Sequence, residues 1–125
     1  MKLNFFKSNS NSINDGNDFR KPLKELDQWR EVIESSKNRN MYIFKHSSRC
    51  GVSSMVLKRL EKQLGERGLD YFYLHIQAYR DLSNQIADEL RIRHESPQLI
   101  VLKSGKVLAH GSHYNLLEIV PGLHK

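Results

Sequence analysis

Apolar positions recur at two periods along this chain, and the switches between them outline its elements. Leu23, Leu26, Trp29 and Ile33 fall three or four apart behind Lys21-Pro22. That spacing predicts a helix opened by proline and ended by the polar run Ser35 to Asn40. Met41 to His46 is short, apolar and aromatic, the signature of a buried strand. Ser47 to Gly51 reads as a turn. Val52, Val56, Leu57, Leu60 and Leu64 return to helical spacing, with Gly65 and Gly68 as the expected stop. Asp70 to Ile76 is a second strand, and Asp81 is the expected N-cap of a helix carrying Leu82, Ile86 and Leu90. Pro97 precedes a strand over Gln98 to Leu102. Lys103 to Lys106 then turns the chain into a partner strand ending at His110. Tyr114 to Val120 forms a last short helix, stopped by Pro121-Gly122.

The alternation of strands and helices implies parallel strands covered by helices, and the terminal hairpin adds antiparallel ones. The expected fold is therefore α/β, a mixed sheet flanked by helices in a single domain. Residues 8–18 are polar and rich in breakers, so residues 1–20 read as a flexible arm and residues 21–125 as the domain. A length of 125 residues suits one modest core. No apolar run approaches the roughly 20 residues of a membrane span, and Met1 to Lys7 is too briefly apolar for a secretory signal. A cytoplasmic protein is expected.

The net charge is +6, but the cations are scattered among acids, as in Lys58-Arg59 with Glu61 and Arg91 and Arg93 with Glu95. No basic stripe interleaved with aromatics appears, so neither nucleic acid nor membrane is an expected partner. A monomer is expected. One cysteine excludes an internal disulfide and disfavours a cysteine-based zinc site. His110 and His113 stand three apart without a third ligand, so no metal site and no bound cofactor are expected.

The lone Cys50 lies between a strand and the helix that follows, the edge where open α/β sheets bind ligands. A sulfur there sits near unpartnered amides at the positive end of a helix, which favours thiolate over thiol. A free thiol is only about 3% thiolate at pH 7. Arg49, and His46 when protonated, are expected to add positive charge, and Gly51 lets a partner approach the turn. Ser53 occupies the place of the second thiol in a C-x-x-C pair. Its hydroxyl cannot form a disulfide but can donate a hydrogen bond to a thiolate. Cys50-Gly51-Val52-Ser53 thus suggests a monothiol site whose mixed disulfide must be resolved by an outside thiol. The competing readings are a packed, inert cysteine for Cys50 and a simple first-turn residue for Ser53.

A strand, a helix and then Ser96-Pro97 before a hairpin resembles the thioredoxin superfamily. The resemblance implies a thioredoxin-like fold with a cis-proline facing the cysteine, and a groove for a substrate chain at Ser96, Pro97 and Ser48. The buried acid of thioredoxins, six residues before the cysteine, is Phe44 here. Phe44 to Ser53, Arg80 to Ala87 and Arg93 to Gln98 together resemble the monothiol bacilliredoxin family, also called YtxJ-like, over roughly residues 22–120. That resemblance implies a bacterial cytosolic protein acting on S-thiolated client proteins, with bacillithiol as co-substrate, Cys50 attacking and Ser53 as the motif serine. Gly51 departs from the proline of many members. In that respect the motif is also similar to the C-G-F-S of monothiol glutaredoxins, some of which share an iron–sulfur cluster between two subunits. Two alternatives stay open at this point: such a cluster carrier, and a non-catalytic protein-binding module.

Overall fold

A computed structural model describes residues 19–124. The expected arm lies outside the described residues, apart from Phe19 and Arg20. Five strands form one sheet: β1 (Arg20–Pro22), β2 (Met41–His46), β3 (Tyr71–His75), β4 (Gln98–Lys103) and β5 (Lys106–Ser112). The helices are α1 (Leu26–Ser35), α2 (Gly51–Glu66), α3 (Arg80–Leu90) and α4 (Ile119–Leu123), the last preceded by a 3-10 segment, His113–Glu118. Strand order is β1-β3-β2-β4-β5. The β1, β3 and β2 strands run parallel, while β4 and β5 are antiparallel to their neighbours. The expected mixed α/β sheet flanked by helices is thus observed.

Strand β2 is the centre of the sheet, and all six of its residues are buried. Side chains alternate across a strand, so each face receives every second residue. Met41 and Ile43 join Trp29, Val32, Phe72, Leu74 and Ile86 beneath α1 and α3. Tyr42 and Phe44 join Val56, Leu60, Leu64, Leu99 and Leu116 beneath α2 and the C-terminal helical segments. The indole Nε1–H of Trp29 donates to Glu89 at 2.8 Å, tying α1 to α3.

Four local expectations are corrected. Lys21-Pro22 does not open a helix but belongs to edge strand β1, where a residue without an N–H is tolerated. The Leu23 N–H then donates to the Tyr73 carbonyl at 2.8 Å. Arg20 fastens this edge by an ion pair to Glu61 on α2 at 2.7 Å. Gly65 lies inside α2. Gly68, at φ +67, supplies the left-handed residue after the helix, and the Leu69 N–H returns to the Leu64 carbonyl. Asp81 is not the N-cap of α3. Tyr79 holds that position, and Asp81 sits in the first turn, where a carboxylate suits the helix dipole. Pro121-Gly122 does not stop the last helix, since α4 runs to Leu123. Pro121 falls in the first turn, where its missing N–H would have no intrahelical partner.

Candidate thiol site

The site is built at the C-terminal end of β2, where the chain leaves the sheet and enters α2. Cys50 is the N-cap of α2, with φ −109° and ψ 113°. Its N–H donates to the Ser47 carbonyl at 3.2 Å, and its carbonyl accepts from the Ser53 N–H at 3.0 Å. The thiol is free and half-buried. It stands at the start of a 16-residue helix, whose first amides have no intrahelical acceptor. Gly51 is exposed, and a Cβ there would meet nothing within 4 Å. Packing therefore does not require glycine at this position.

The turn is braced from β3's end by Gln77, a residue the sequence reading passed over. Its Oε1 accepts from the Ser48 N–H at 3.2 Å, and its Nε2 donates to Ser47 Oγ at 2.7 Å. Ser47 Oγ also accepts from the Arg49 N–H at 3.3 Å. A residue just past the end of a parallel strand is where such a brace belongs, and that position was the available signal.

Ser53 and His46 are not placed as expected. Ser53 is fully buried. Its Oγ lies 2.8 Å from His46 Nδ1 and accepts from the Ser47 N–H at 3.3 Å. Burial, with the nearby charges of His75 and Arg20, holds the His46 imidazole below its ordinary pKa. The Ser53 hydroxyl is thus hydrogen-bonded to the His46 ring, with the direction of that bond set by the ring tautomer. The hydrogen bonds observed for Ser53 Oγ run to His46 and the Ser47 N–H, and burial disfavours the charged form of the His46 ring. The pair instead clamps the first turn of α2 to the end of β2. Ser53→Ala would strand two buried groups, the Ser47 N–H and His46 Nδ1. It is expected to cost about 2–4 kcal/mol in urea unfolding; a loss below about 0.5 kcal/mol would contradict the clamp. Arg49 is exposed, and its guanidinium makes no ion pair among the described residues.

The peptide bond between Ser96 and Pro97 is cis. Lys45 pairs with Gln98 across β2 and β4. Ser96 and Pro97 therefore lie just beyond the sheet, level with the end of β2 from which the cysteine turn departs. The Pro97 carbonyl accepts from the His113 N–H at 3.0 Å. His113 holds φ +53, and next to it Tyr114 and Met55 are exposed, with the Tyr114 hydroxyl 3.8 Å from the Met55 sulfur. On the other side of the turn, a groove of about 480 Å³ is lined by Lys24, Gln77, Tyr79, Arg80 and Asp81, among others. Among the described residues, no group of three His, Cys, Asp or Glu could hold a metal ion.

A half-buried cysteine at the N-cap position of a long helix, at the end of a central parallel strand and level with a cis-proline bend, defines a thioredoxin-fold thiol–disulfide redox protein. The family described as monothiol bacilliredoxin BrxC matches residues 21–118, and the chain belongs to it. Solved structures agree on the fold. A thioredoxin-fold protein described as a candidate oxidoreductase is 28% identical, covering 97% of this chain and 98% of its own, with a TM-score of 0.77. Thioredoxin from Trypanosoma brucei brucei (19% identity, 82% and 86% coverage, TM-score 0.65) is similar in fold. So is mitochondrial thioredoxin 3 from Saccharomyces cerevisiae (19% identity, 83% and 92%, TM-score 0.66).

Proposed function

We propose that this protein removes a small thiol, bacillithiol or a close chemical relative, from mixed disulfides on client proteins in the cytoplasm. The observation that carries this reading is the placement of the chain's single thiol, reachable by solvent at a helix start, with a serine and not a thiol three residues on. Cys50 thiolate attacks the small thiol's sulfur in the mixed disulfide. One S–S bond forms as the other breaks, and the client sulfur leaves as a thiolate that takes a proton from water. Cys50 then carries the small thiol until an outside thiol removes it.

Position 53 supports a one-thiol cycle in two ways. It holds a hydroxyl, and that hydroxyl is buried and turned to His46. The Ser96-Pro97 bend offers main-chain groups to an extended client segment, in the manner of an added strand. Exposed Met55 and Tyr114 give such a segment an apolar rim. The groove beside Gln77 has room for the rest of a small thiol. The direct test is mass spectrometry after mixing the reduced protein with a bacillithiol-modified client. The expected result is one bacillithiol on Cys50 and a matching loss from the client. Absence of an adduct with bacillithiol or any other small-thiol mixed disulfide would overturn the proposal.

A further inference from the structure

A charged groove opens at the end of the sheet that carries the cysteine turn. It lies outside the carboxyl ends of β1 and β3, the end of a parallel sheet where open α/β proteins hold ligands. One wall is the connection from β1 to α1, with Lys24. The other is the connection from β3 into α3, with Gln77, Tyr79, Arg80 and Asp81. Its volume of about 480 Å³ falls within the roughly 300–1,000 Å³ of small-molecule sites.

Both walls are held by hydrogen bonds to their main chain. Gln28 Oε1 accepts from the Lys24 N–H at 2.7 Å and from the Glu25 N–H at 3.0 Å. The Tyr79 N–H donates to the His75 carbonyl at 3.0 Å, and the Tyr79 carbonyl accepts from the Ser83 N–H at 3.0 Å. A preformed site spares its ligand the cost of ordering it. Lys24, Arg80 and Asp81 are exposed, and none of the three forms an ion pair among the described residues. The groove thus offers two cations and one anion with no internal partner.

Gln77 joins the groove to the cysteine turn. It lines the groove, and its amide bonds the Ser48 N–H at 3.2 Å and Ser47 Oγ at 2.7 Å. Cys50 stands two residues past Ser48, a chain span of at most about 7 Å. Its N–H is bonded back to the Ser47 carbonyl at 3.2 Å, so the turn stays tight. In bacillithiol about nine covalent bonds separate the sulfur from the carboxylates, a reach of roughly 10 Å. A ligand joined to Cys50 through sulfur therefore has the length to enter the groove. The Ser96-Pro97 bend flanks the turn from β4, on the side away from β3.

We propose that this groove is the subsite for the charged part of the small thiol, and that it takes a thiol bearing both carboxylate and ammonium groups. Lys24 and Arg80 pair with the carboxylates, and Asp81 pairs with the ammonium. This rests on the exchange reading above and adds which sulfur is attacked. Either sulfur of a mixed disulfide can accept a thiolate. A small thiol anchored on the β3 side presents its own sulfur to Cys50. The new S–S bond forms there, and the electron pair of the old bond leaves on the client sulfur, which takes a proton from water. Attack on the other sulfur would leave the client itself attached to Cys50.

The test compares two disulfides on one client protein, one with bacillithiol and one with 2-mercaptoethanol, which carries a thiol without the charges. The readout is the ratio of the two kcat/KM values, bacillithiol over 2-mercaptoethanol. Lys24→Gln and Arg80→Gln are each expected to lower that ratio about three- to fivefold, the order of one exposed ion pair. Asp81→Asn should lower it as well. Lys106→Gln, at the opposite end of the sheet, removes a charge away from the groove and should keep the wild-type ratio. Raising KCl to about 1 M should bring the wild-type ratio down toward that of the variants. Variants of Lys24 and Arg80 that keep the wild-type ratio overturn the proposal, and so does an equal loss on both disulfides, which assigns these cations to the client. A higher ratio in Asp81→Asn also overturns it, since that describes a site for anions alone. A wild type inert toward both disulfides strikes instead at Cys50 as nucleophile, and both readings then fall; one that reacts with both but ignores the charges strikes at the groove alone.

Discussion

Cys50→Ser is expected to bring thiol exchange down to the uncatalysed background while leaving the fold intact. Cys50 is the chain's only thiol, so no second sulfur can take over the attack. A serine hydroxyl keeps its proton at neutral pH and forms no S–S bond. The fold should not suffer, because position 50 is the N-cap of α2 and serine is among the best N-caps. The measurement is paired: initial rate of small-thiol release from a modified client, and thermal unfolding of the same preparation. An unfolding midpoint equal to or above the wild type, with no release, places the loss in chemistry alone. Release by the serine variant above background would remove Cys50 from the reaction.

Lys45→Met should make the protein more stable at neutral pH, by about 2–3 kcal/mol. Burial lowers the Lys45 pKa from 10.5 to about 8. A gap of that size corresponds to roughly 3 kcal/mol of penalty on the charged form in the folded state. The sign follows from linkage. Between about pH 8 and 10.5 the unfolded chain holds this proton and the folded chain does not, so wild-type stability rises with pH across that window. Below pH 8 both states are protonated, and the full penalty is present. Methionine fills similar volume without charge, so its advantage is complete at pH 7 and fades by pH 10.5. The Ser83 carbonyl loses one donor but lies within helix α3. Urea unfolding at pH 7, 9 and 10.5 checks both magnitude and window. Destabilisation by more than about 1 kcal/mol at pH 7 would show that Lys45 is held for packing.

Much of the architecture was legible in the chain itself. Short-range periodicity identified β2, α2, β3, α3 and the β4–β5 hairpin, because each has a buried face long enough to impose period two or period 3.6. It also placed Cys50 at a strand-to-helix junction and Ser96-Pro97 before the hairpin, which is what the family resemblance rests on. Strand β1 was not legible. Three residues with a proline, Arg20 to Pro22, have no period, and they become a strand only because Tyr71 to Tyr73 lies alongside.

The site divided in the same way. Sequence alone determined which atom we propose as the nucleophile and that the given chain supplies no second thiol, since one cysteine and a serine at 53 are matters of composition and spacing. Tertiary structure decided where the polar groups point. Ser53 turns to His46 because the first turn of α2 is laid over the end of β2, seven residues back in the chain. Gln77 reaches Ser47 and Ser48 because β3 runs parallel to β2 and ends beside it. Lys45 is a core residue because β2 is the middle strand, covered on both faces, and Gln98 faces it because β4 pairs there in antiparallel register. A hydroxyl, an amide or an amine acts on the group it meets, and that meeting is set by strand order and register, which a one-dimensional pattern does not contain.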